Sequence, residues 1–153
     1  MNSIRTRTAL VVALGVGLSA CGGSSSSSSG LSRAQLIAKA NAICVTAKKS
    51  AGAVAAPSSF QNPTVAAAYF DKIAPITDKE TQSLGALQPA DSVKTDWTAF
   101  VNAQKAADAL LQTIKHKADT KDASGFADLQ KVAPTSKTFV NAASKLGATG
   151  CAS

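Results

Sequence analysis

The sequence predicts an all-α protein: an up-down-up-down four-helix bundle carried behind a signal peptide and a Gly/Ser tether. Three observations lead there. Apolar residues recur at three- and four-residue spacing through four long segments. No segment sustains two-residue alternation, and no Asn-Gly or Asp-Gly hairpin signal occurs. The connections between segments are short, which favours antiparallel neighbours.

Ser32 is a good N-cap for the first helix. Leu36, Ile37, Ala40, Ile43, Cys44, Ala47, Ala51 and Val54 follow it on one face, and Pro57-Ser58-Ser59 ends it. Asn62-Pro63 starts the second helix, with Asn as cap and Pro at the first helical position. Its apolar face runs from Val65 through Tyr69, Phe70, Ile73 and Ile76 to Leu87, and Gln88-Pro89 stops it. Asp91 or Ser92 is expected to cap the third helix, whose inner side carries Val93, Trp97, Phe100, Gln104, Leu111 and Ile114. Thr120 to Gly125 makes the next turn. The fourth helix is expected to run unbroken from Phe126 through Leu129, Val132, Phe139 and Val140 to Leu146, with Gly147 ending it.

The expected domain limits are 1–20 for the signal, 21–31 for the anchor and tether, and 32–153 for the bundle. Arg5 and Arg7 lead a short apolar core, Ala9 to Leu18, as in a secretory signal. That core is too short to cross a bilayer of ~30 Å as a permanent helix. It ends Leu18-Ser19-Ala20-Cys21, an aliphatic residue, two small residues and a cysteine. This resembles the lipobox of bacterial lipoproteins, which implies cleavage before Cys21 and a diacylglyceryl group on its sulfur. An ordinary signal with an unrelated cysteine is the alternative. Two acyl chains hold a membrane stably where one binds only marginally. Localisation is therefore expected at the cell membrane, lipid-anchored on the extracytoplasmic face. Gly22-Gly23, six serines and Gly30 form a low-complexity spacer of roughly 17 Å r.m.s. span.

Of 153 residues, 133 follow the signal, and 28 of these are alanine. Alanine permits close helix approach and leaves a thin core. With Cys21 assigned to lipid, Cys44 and Cys151 remain in an oxidising compartment and are expected to pair. Two free thiols are the alternative. The stretch Ala40-Asn41-Ala42-Ile43-Cys44, the Pro-punctuated middle and Leu146-Gly147-Ala148-Thr149-Gly150-Cys151 resemble small, Ala-rich lipoproteins of actinobacterial type. The resemblance implies a location and a build but no activity.

The inventory of chemistry-bearing residues is short. The chain after the signal holds one Glu (Glu80), one His (His116) and no Met. These cannot assemble a standard zinc site or a di-iron carboxylate centre, so no cofactor or metal is expected. His116 lies among Lys115, Lys117 and Asp119, but no nucleophile in a recognisable elbow accompanies it. Asp78 with Glu80, and Asp91 with Asp96, are the nearest acid groupings, and capping or solvation accounts for them. No enzymatic residue set is expected.

After the signal, 14 basic and 9 acidic residues leave a net charge of +5, spread along every helix. Nucleic acid is not expected as a partner, because basic clustering with interleaved aromatics is absent. The expected partners are the membrane, through Cys21, and an envelope protein, wall polymer or small ligand. The functional expectation is an envelope binding module. A structural or accessory lipoprotein is the alternative, and an enzyme a more distant one. Pro75 and Pro134 both fall within expected helices, each removing a backbone bond. Their kinks, at one height, would open a candidate cleft near Tyr69 and Trp97.

Overall fold

The computed structural model describes residues 30–152. The expected signal, the expected lipidation site Cys21 and nearly all of the tether lie outside the described residues. Among those residues the elements are α1 (Arg33–Gly52), α2 (Pro63–Gly85), a 3₁₀ turn (Asp91–Val93), α3 (Lys94–Asp119), α4 (Gly125–Leu129), α5 (Val132–Leu146) and α6 (Thr149–Ala152). The fold is an all-α bundle. α2 packs on α1 and α3, α3 on α5, and α6 on both α1 and α5. No described helix is long and apolar enough to cross a membrane.

The caps explain where α1 and α2 begin. The Ser32 side chain and Gln35 close a reciprocal capping box. Asn62 accepts from the amides of Thr64 and Val65, with Pro63 at the first position. Gly147, at φ 91°, ends α5. Its amide and that of Ala148 both return to the Ala143 carbonyl, at 3.0 and 2.8 Å, using carbonyls that a helix end leaves unpaired.

Three sequence expectations need correction. The fourth helix is not continuous: α4 stops at Leu129 and α5 starts at Val132. Pro134 is therefore the third residue of α5, where a helix has no internal acceptor for an amide, so it bends nothing. Only Pro75 sits in a helix interior. The third helix is not capped by Asp91 or Ser92, because both belong to the 3₁₀ turn ahead of it. Ahead of α1, the chain pairs with the segment that follows α2. Leu31 donates to the Gln88 carbonyl at 2.8 Å and accepts from Ala90 at 2.9 Å, a single bridge against the end of α2. Gly30 permits it, since a Cβ there would stand 2.4 Å from the Pro89 oxygen.

Two apolar clusters fill the interior. One gathers Leu36, Ala40, Leu84, Trp97, Phe100, Leu146 and Cys151 with their neighbours. The other gathers Ala66, Phe70, Ile114 and Ala118, with Phe60, Tyr69 and Leu129 packed on them. The Cys44–Cys151 disulfide closes the first cluster, with Cα atoms 5.1 Å apart. Cys44 is well inside α1, so an extended tail from Gly147 would barely reach it. The tail instead turns at Gly147 and lays the single turn of α6 across α1. The Gly150 amide donates to Asn41 Oδ1 at 2.9 Å, and a Cβ on Gly150 would press on the same side chain at 3.0 Å.

Candidate functional site

The two clusters are separated by a polar waist. It is formed by Thr77, Glu80 and Thr81 of α2 and by Gln104 and Asp108 of α3, with the buried Ile73 and Ala74 on the same stretch of α2. Gln104 is buried and donates from Nε2 to Glu80 Oε2 at 3.2 Å and to Thr81 Oγ1 at 3.3 Å. Thr77 donates from Oγ1 to Asp108 Oδ1 at 3.1 Å, and Gln112 donates to the same oxygen at 3.5 Å. An unpartnered buried amide is costly, so Gln104 fixes the facing side of α2 as polar.

Glu80 opens from this waist into a groove of about 510 Å³ between α1 and α2. α1 contributes Ala42, Ile43, Thr46, Ala47 and Ser50. Their positions fall on one face at helical spacing. α2 contributes Pro75, Ile76, Lys79, Glu80 and Ser83. The walls are mainly alkyl groups and small hydroxyls. Small residues on α1 set the width, because alanine and serine leave space where larger side chains would fill the seam. Pro75 adds a second cause: it donates no amide to the Asp71 carbonyl, and its ring crowds that carbonyl.

Burial holds the Glu80 carboxyl at a pKa of about 7, far above its ordinary 4.5, and the charge of Asp108 acts in the same direction against the Gln104 hydrogen bond. Desolvation disfavours the charged form of a carboxyl, which is the larger effect here. Glu80 thus changes charge in the neutral range inside an apolar groove. The other well-placed acids behave oppositely because cations meet them. Asp96 takes Lys145 and Arg33, at 3.2 and 3.4 Å, and Asp128 takes Lys117 and Lys131. Both carboxyls are held below their ordinary value, chiefly by those hydrogen bonds.

The residues of the expected cleft do not meet. Pro75 lines the α1–α2 groove, whereas Tyr69 lies on a separate shallow surface with Val54 and Pro57. Trp97 is buried in the first cluster, its ring 5.3 Å from Phe100. Pro134 is exposed at the start of α5. The reason is the split core: Tyr69 and Phe70 join Phe60, while Trp97 and Phe100 join Phe139. His116 is exposed near the end of α3. Its neighbour Lys115 reaches Asp119 and Asp71 at 2.6 and 2.7 Å, an ion cluster tying α3 to α2. Asp78 accepts from Gln82 at 2.8 Å, and Asp91 is exposed in the 3₁₀ turn. Among the described residues no group of three or more His, Cys, Asp or Glu is arranged to hold a metal.

Sequence reasoning passed over Glu80 by reading it with Asp78 as a solvated pair. Two signals pointed elsewhere. Gln104 stands on the apolar face of its helix and requires a partner. Glu80 follows Ile76 by one helical turn, so it shares that residue's side of α2. No protein-family model matches the chain, and comparison with curated proteins and with solved structures finds no match for it.

Proposed function

We propose that the chain is a lipid-anchored extracytoplasmic lipoprotein, tethered through Cys21, that serves the cell envelope as a binding module. The single observation that carries the binding reading is the α1–α2 groove. Its 510 Å³ lie within the range of small-molecule sites, and it combines mainly apolar walls with the ionisable Glu80 and, at the rim, Lys79. The anchoring reading rests on the Leu18-Ser19-Ala20-Cys21 box and the Gly/Ser run that follows it.

Purification of the protein from native membranes, followed by native mass spectrometry, tests both parts. The expected result is a diacylglyceryl mass on Cys21 and a co-purifying small molecule. Cys21→Ser removes the lipid mass and sends the protein to the aqueous phase. Thr46→Trp, at an exposed groove position, removes the bound molecule without disturbing the core. An unlipidated Cys21, or a bound molecule insensitive to Thr46→Trp, would overturn the corresponding part.

A further inference from the structure

The waist carries two carboxyls, Glu80 and Asp108, whose donors are neutral: Gln104 for Glu80, Thr77 and Gln112 for Asp108. Two other acids that are partly or fully buried, Asp96 and Asp128, are met by lysine or arginine. The chain after its signal has a surplus of bases, yet among the described residues neither Glu80 nor Asp108 forms an ion pair with one. The groove leads from solvent to Glu80. Its α1 wall offers no charged side chain, and on α2 the neighbouring Lys79 is exposed at the rim. Lys79 is not among the causes that set the Glu80 charge state, whereas Asp108 on α3 adds negative potential behind it. An incoming positive group would therefore meet a carboxylate with a second acid behind it in poorly solvated surroundings, where charge pairing is stronger than in water.

Resting on the binding reading above, we infer that the α1–α2 groove takes a small amphiphile bearing a protonated amine. The ammonium donates to the Glu80 carboxylate, and the alkyl body lies along Ile43, Ala47, Pro75 and Ile76. A neutral alcohol would gain the apolar contacts but not the ion pair. A carboxylate-bearing amphiphile would meet repulsion from Glu80 and Asp108. The ammonium also stabilises the ionised form of Glu80, so binding strengthens as pH rises through neutrality. Alkylamines stay protonated over that range, as lysine does.

The test uses the full mature chain with Cys21→Ser, which keeps lipid and detergent out of the assay. Octylamine, 1-octanol and octanoate are titrated by calorimetry at pH 5.5 and pH 8. At pH 8 octylamine should bind at least tenfold more tightly than either analogue, a ratio in the range of a charge-assisted hydrogen bond. That preference should shrink severalfold at pH 5.5. Glu80→Gln should abolish the preference while keeping the affinity for octanol, which also shows that the variant folds. Equal binding of octanol and octylamine at pH 8 would overturn the assigned ligand class and leave the groove as a binding site. A preference for octanoate would do the same and would point to the Lys79 rim. Failure of all three to bind would remove the groove site and with it the binding reading.

Discussion

Reduction of the Cys44–Cys151 disulfide should cost this bundle a large part of its stability. The bridge closes a loop with a sequence separation of 107 residues. Cross-linking such a loop removes about 16 cal/mol/K of chain entropy from the unfolded state, or about 4.8 kcal/mol at 25 °C. The location of the bridge suits this large effect. α1 packs along α2, and its second attachment is to α6 through Cys151 and the Asn41–Gly150 hydrogen bond. A domain of this size unfolds with an entropy of roughly 0.26 kcal/mol/K, so the loss corresponds to a fall of about 15–20 °C in Tm. The assay is thermal unfolding with and without a phosphine reductant, with thiol titration to confirm reduction. Reduction is a cleaner perturbation than a Cys44→Ala/Cys151→Ala double variant, which also removes two buried sulfurs. Hydrogen exchange should quicken first in the Leu36–Ala47 part of α1. A reduced protein melting within about 3 °C of the oxidised one would refute the reasoning, since the loop length would then contribute nothing.

Two further outcomes follow from the geometry. Because the folded pKa of Glu80 is raised to about 7 from 4.5, its contribution to stability is fully present below pH 4.5 and is lost as pH rises through 7. After discounting for the solvent that reaches this half-buried group, the loss is about 1–2 kcal/mol. Glu80→Gln should remove that dependence, so urea midpoints of wild type and variant should diverge from pH 5 to pH 8, the variant being the more stable at pH 8; a constant difference would contradict the burial argument. Gly30→Ala should break the Leu31–Pro89 bridge at a cost of about 1–2 kcal/mol and expose the Leu31 and Ala90 amides to exchange, since its Cβ would stand 2.4 Å from the Pro89 oxygen; unchanged protection of both amides would show that the bridge does not depend on Gly30.

The helices were legible in the sequence because their signals are local. Ser32, Asn62-Pro63 and Gly147 mark ends through hydrogen bonds made within a few residues, and the structure places all three in those roles. The break between Leu129 and Val132 was not legible, because no glycine or proline falls at Gln130-Lys131 and both residues keep right-handed helical angles there. Lys131 turns instead to Asp128, which it shares with Lys117 of α3, a long-range contact that spacing alone does not reveal. The cleft expected around Pro75 and Pro134 depended on an unbroken fourth helix and lost its second proline with the break. The waist was half visible. Gln104 stood out on an apolar face, but its partners Glu80 and Thr81 lie on another helix, and pairing across helices requires the register of α2 against α3.

The most direct test of the groove as a cation-binding site is the titration of Glu80 itself. The chain contains no other glutamate, so selective ¹³C labelling of glutamate yields a single side-chain carboxyl resonance. Its chemical shift, followed from pH 4 to pH 9, should give a midpoint of about 7 in the free protein. At saturating octylamine the midpoint should fall by about one unit or more, because a tenfold preference of the ligand for the ionised form shifts the pKa by that amount. A midpoint near the ordinary 4.5 without ligand, or one that octylamine leaves unmoved, would contradict the account.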